Sequence, residues 1–185
     1  MDSSRLLLLL LCTTASKVRD VQARPIDFVC DDQARRDMNM VKELEAGMRE
    51  CRGSDKLPLA IPLPCVKIHK ASWENKSMQE KRGDILAALQ TLVQGVRENR
   101  PLVLAECQLS LLERLDRSVT NYLHIVTHME LSGEPESLVT SCPSQSTQNL
   151  GHVLWHFSRL LTGKLEWLVS ELSSQCHVEQ TTSIL

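Results

Sequence analysis

Seven cysteines are the first chemistry-bearing residues in this 185-residue chain. Arg5, the apolar run Leu6 to Leu11 and the small residues Thr13, Thr14 and Ala15 form a secretory leader, and Cys12 is expected to leave with it. The remaining six are Cys30, Cys51, Cys65, Cys107, Cys142 and Cys176. An even number of thiols in an oxidising compartment implies bridges, and without a C-x-x-C spacing a structural zinc knuckle is not expected. His124 and His128, like His152 and His156, have H-x-x-x-H spacing, but Ile125 and Val153 stand where a zincin needs glutamate. No metal or cofactor is expected. The chain has no G-x-S-x-G, P-loop or glycine-rich nucleotide motif, and Asp31-Asp32 reads as a solvated first helical turn beside a positive helix end. An enzyme is therefore not expected; a small secreted hydrolase or a lipid-carrying helical bundle are the alternatives of other classes. Asn75-Lys76-Ser77 is a glycan acceptor sequon.

Something must position these residues, and the composition favours helices. Three Trp, two Phe and one Tyr are few for a sheet protein, and the net charge of −2 gives no basic field for nucleic acid or anionic membrane. Leader cleavage is expected after Ala23, with Ala15 as a second possibility, leaving residues 24–185 as one domain. The prolines divide the rest into four helical stretches. Helix A spans 31–50, with Ala34, Met38, Val41, Leu44 and Met48 on one side. Helix B spans 78–99, opened by a Ser77-x-x-Glu80 capping box. Helix C starts near Pro101 and stops before Gly133. Helix D spans 148–172, with the stripe Leu150, Leu154, Phe157, Leu161, Leu165, Leu168 and Leu172.

Connection lengths then fix the fold. B to C is short, whereas A to B and C to D are each long enough to travel the bundle. The expected class is all-α, an up-up-down-down four-helix bundle with two long crossovers. In that topology Cys30 and Cys176 share the bottom, Cys51 and Cys107 share the top, and Cys65 and Cys142 lie on crossovers that run in opposite directions. Bridges Cys30–Cys176, Cys51–Cys107 and Cys65–Cys142 satisfy these placements.

Residues 63–89, LPCVKIHKASWENKSMQEKRGDILAAL, carry a family resemblance: a Leu-Pro opening, Trp73, and Asp84-Ile85-Leu86. Residues 156–168, HFSRLLTGKLEWL, carry another: an aromatic, two apolar residues, then Gly163-Lys164. With Cys30-Asp31 at the start of helix A, the chain after Pro25 resembles the erythropoietin and thrombopoietin family of four-helix cytokines. The Cys51–Cys107 pairing favours the thrombopoietin branch. Thr162, Glu166, Gln33 and Ile68 depart from the family pattern. The family's mammalian members carry a long glycosylated Ser/Thr/Pro-rich tail that is not seen before Leu185, so the sequence resembles a shorter, fish-like form or a truncated product.

The resemblance implies a monomeric secreted hormone that engages two copies of a class I cytokine receptor, the thrombopoietin receptor, through two unequal faces. Janus kinase signalling and growth of the thrombocyte and megakaryocyte lineage would follow. The high-affinity face would combine helices A and D with the end of the first crossover. Matched positions place Asp31, Lys67, Ile68, Lys81 and Lys164 in it. The helix D stripe leaves Trp155 unexplained, and at roughly 100° per residue Trp155, Arg159, Thr162 and Glu166 share the opposite side. Tryptophan followed four residues later by arginine is a composition favoured at binding hot spots. Arg35 and Arg114 are the candidates for the second face.

Overall fold

A computed structural model describes residues 25–129, 131, 145–174 and 176. The leader, its cleavage site and Cys142 lie outside these residues. The elements in order are α1 (Pro25–Cys30), α2 (Asp32–Met38), α3 (Val41–Glu50), β1 (Lys56–Leu63), α4 (Lys70–Glu74), α5 (Met78–Asn99), a 3₁₀ turn (Arg100–Leu102), α6 (Glu106–Thr127), β2 (Gln145–Asn149), α7 (Leu150–Leu160), a π turn (Leu161–Leu165) and α8 (Glu166–Ser173). The four-helix bundle expected from the connections is the observed architecture.

Helix A is broken where a continuous run is expected. Asp31 N-caps α2, its Oδ1 accepting from the amides of Gln33 and Ala34 at 2.9 and 3.0 Å. Asn39, which ends α2, accepts from the Val41 amide at 3.1 Å ahead of α3. Short polar side chains that bond nearby amides compete with helix continuation, so the segment restarts at each. Helix B keeps its expected limits. The Ser77 hydroxyl accepts from the Glu80 amide and the Glu80 carboxylate accepts from the Ser77 amide, closing the box. Helix C begins later than expected: Pro101 occupies the 3₁₀ turn, and α6 starts at Glu106.

Helix D is interrupted rather than uniform. The Glu166 amide donates to the Leu161 carbonyl across the π turn, so one turn is wider than its neighbours. Asn149 caps α7 by accepting from the His152 amide at 3.0 Å. Gln148, expected to open helix D, belongs to β2.

The two crossovers meet as an antiparallel ribbon, with Lys56 opposite Asn149 and Leu63 opposite Gln145. Leu57 and Ile61 face the helices and are buried, while Leu59 between them is exposed where the register of the ribbon shifts. Gly95 on α5 admits the ribbon. A Cβ there would stand 2.6 Å from Ile61 Cγ2, so only glycine allows this approach.

The core joins leucines of all four helices, including Leu44, Leu89, Leu112, Leu115, Leu154 and Leu168. Both phenylalanines and the lone tyrosine of the chain stack together. Tyr122 meets Phe28 edge-on at 6.0 Å and Phe157 edge-on at 5.8 Å, tying α1, α6 and α7 at one level. Cys30–Cys176 fastens α1 to the segment after α8, and Cys51–Cys107 fastens α3 to α6. Cys65 is also disulfide-bonded, and its expected partner Cys142 lies outside the described residues. No described helix is long and apolar enough to cross a membrane.

Candidate functional site

Trp155 stands on the outer side of α7 because the apolar period commits Val153, Leu154 and Phe157 to the core. It is 53% exposed, a large value for a tryptophan that has crossover backbone beside it. The Arg159 guanidinium lies 5.9 Å from its ring centroid, one helical turn along. His156 meets the ring edge-on at 4.8 Å. Thr162 and Glu166 continue the exposed strip onto the π turn and α8. On the other flank a groove of about 110 Å³ separates Trp155 from Pro64, Val66 and Lys67 of the first crossover. Lys67 is exposed and Ile68 half-buried.

A larger cleft, about 390 Å³, opens below the strip between α2, Tyr122 and the π turn. Arg35 crosses it. Its guanidinium pairs with Glu166 at 3.1 Å and donates to the carbonyls of Phe28 and Val29 at 3.0 and 2.9 Å. Arg35 therefore lies between helices A and D, on the side of the strip. Burial pushes the Tyr122 hydroxyl above the ordinary phenol range, and the Glu166 carboxylate adds to the effect. Asp31 is exposed, but its carboxylate is engaged as the α2 cap.

Two lysines expected at the surface are inside. Lys81 is 4% exposed and pairs bidentately with Glu171 of α8 at 2.8 and 2.9 Å. Lys164 is 3% exposed, its Nζ 3.8 Å from Asp84 of α5. Asp84 also receives the ammonium of Lys76. Burial holds the Lys164 ammonium below the usual lysine range, and Asp84 opposes that shift. The wide turn carries Lys164 inward, whereas a uniform helix leaves it at the stripe's edge. Neither lysine presents its ammonium as a contact surface.

Arg114 is half-buried beside α3, next to a cleft of about 500 Å³ lined by Gly47, Cys51 and Cys107. The His124 and His128 rings lie 4.2 Å apart, tilted, at the end of α6, apart from His152 and His156 on α7. Among the described residues no three His, Cys, Asp or Glu side chains converge on a possible metal position.

Sequence reasoning overlooked the Arg35–Glu166 pair and the Pro64–Val66 wall of the groove. Neither had a signal in the sequence: Arg35 and Glu166 lie 131 residues apart with no periodicity connecting them, and loop placement is not periodic.

These features can be set beside known proteins. The profile of the Erythropoietin/thrombopoietin family matches residues 27–179. Mouse thrombopoietin is 28% identical over 116 residues, covering 60% of this chain and 32% of that protein. The matched region thus spans about a third of the length of the curated relative. Proteins of that family are non-enzymatic signalling proteins, and the thrombopoietin match agrees. With most of its length matched, the chain belongs to the erythropoietin/thrombopoietin family.

Proposed function

We propose that this chain is a secreted haematopoietic cytokine that binds the thrombopoietin receptor, a class I cytokine receptor, with the Trp155 strip as the centre of its high-affinity face. The observation that carries the reading is the exposed Trp155 with Arg159 against its ring, between a crossover groove and the A–D cleft. A large aromatic and an arginine left in water on a rigid helix are the composition of an interface anchor. Lys67, Ile68 and Thr162 flank it; Arg114, beside the Cys51–Cys107 bridge, is the candidate for a second, weaker face. One monomeric chain would hold two receptor copies and so activate the associated Janus kinases, driving growth of the thrombocyte and megakaryocyte lineage. A proliferation assay with cells bearing either the thrombopoietin or the erythropoietin receptor tests this. Growth only through the first supports the reading, growth only through the second reassigns the branch, and growth through neither refutes it.

Trp155→Ala and Arg159→Glu are each expected to weaken receptor binding by about 1 kcal/mol or more while leaving thermal unfolding unchanged. Titration of the receptor ectodomain alongside a melting curve checks both. Unchanged affinity would remove the strip from the interface. Asn75 is exposed at the end of α4, and a glycan is expected there in protein from animal cells. The capping role of Ser77 leaves the Asn75 amide outside the box. Glycosidase treatment is expected to lower the mass, and Asn75→Gln to abolish the change.

A further inference from the structure

We propose that Lys164 and Trp73 are positioning residues for the receptor face: they anchor the end of the first crossover to helices B and D, and so set where Lys67 and Ile68 stand relative to Trp155. The proposal rests on the receptor reading above. Trp73 lies on the short α4, just after Lys67 and Ile68, and is buried. Its ring has two ammonium groups near it, Lys164 Nζ at 5.7 Å and Lys81 Nζ at 5.9 Å from the centroid. Among the described residues its indole Nε1 has no hydrogen-bond partner, so the cations and the packing hold the ring.

Each cation is tied in turn to a different helix. Lys164, on the π turn, reaches Asp84 on α5; Lys81, on α5, grips Glu171 on α8. Lys76, between α4 and α5, closes the set by pairing with Asp84. Charges removed from water add little stability when paired, and their geometry specifies arrangement more than it adds energy. Here the arrangement is that of three elements, α4, α5 and helix D at its wide turn. The crossover end also rests directly on that turn: a Cβ at Gly163 would lie 3.3 Å from Ile68 Cδ1. Thr162, adjacent to this contact, belongs to the exposed strip. The buried network and the exposed face are thus inner and outer sides of the same turn.

A contact lysine and a positioning lysine differ in their response to salt. An exposed rim charge governs association rate and its ionic-strength dependence; a buried one does not. The test uses the full secreted chain and the thrombopoietin receptor ectodomain. Lys164→Met keeps the side chain's length and leaves Asp84 its Lys76 partner. It is expected to weaken affinity about tenfold through faster dissociation. The salt dependence of association should stay as in the wild type, and amide exchange should rise across residues 66–74. Arg159→Gln should instead flatten the salt dependence without changing exchange there. Lys164→Met that flattens the salt dependence as Arg159→Gln does, or that changes neither affinity nor exchange, overturns the proposal. Should Lys164→Met lose protection throughout the bundle, Trp73→Phe applies the same criteria. A wild-type chain that does not bind this ectodomain refutes the receptor reading, while the exchange arm still reports whether the anchor holds.

Discussion

Phe157→Ala is expected to lower the free energy of unfolding by about 3–5 kcal/mol, the usual range for emptying a buried aromatic site. Phe157 is fully buried on α7, and its ring is one end of the Phe28–Tyr122–Phe157 stack. Removing it deletes the contact with Tyr122 and leaves a cavity beneath the α1–α6 junction. The neighbours cannot collapse freely into the space. Tyr122 is fixed on a long helix, and Phe28 sits two residues before the Cys30 bridge. Phe157→Leu should lose less, because it refills part of the volume. Urea titration of both variants checks this, with the slope expected to stay near the wild-type value. A loss below about 1 kcal/mol for the alanine variant would show that the stack is not central to the core.

The second large effect is expected from opening the Cys30–Cys176 bridge. The bridge spans 146 residues of sequence, so it restricts the unfolded chain strongly. Replacing both cysteines by serine should cost about 2–5 kcal/mol. The loss has a local component too. α1 is only six residues long, too short to persist alone, and the bridge keeps Phe28 seated against Tyr122. Amide exchange in α1 should therefore accelerate before the rest of the bundle is affected. Arg35 also donates to the Phe28 and Val29 carbonyls, and its double variant with the bridge should be more than additive. An unchanged denaturation midpoint would mean that packing alone holds α1.

Much of this was legible because the signals are local. The limits of α5 follow from a capping box at one end and Pro101 beyond the other. Trp155 declares itself by falling outside an apolar stripe that accounts for its neighbours. The cysteine placements follow from connection lengths, since a helix fixes which end of the bundle each residue reaches. What was not legible depends on partners far along the chain. Asp31 and Asn39 are ordinary polar residues in a helical pattern until their side chains are seen to bond amides and restart it. Lys81 and Lys164 read as surface charges because burial requires Glu171 and Asp84, which no periodicity connects to them. The ribbon was hidden by Pro58 and Pro62, residues that argue against a strand unless it stands at an edge, as β1 does.

The ribbon has a consequence for the order in which the molecule assembles. α5 and α6 are joined by a short connection, and their pairing is local in sequence, which is the kind of contact that forms early. The ribbon joins Lys56 to Asn149, a pairing far less local than that of α5 with α6, and its first strand lies across Gly95 of α5. A non-local pairing of this kind is expected to form after the local helix pair. Leu63 and Gln145 close the ribbon beside Trp155, on the rim of its groove. The outer face is therefore expected to be completed after the α5–α6 pair, and a chain that has formed its helices but not its ribbon would carry the bundle without the finished surface.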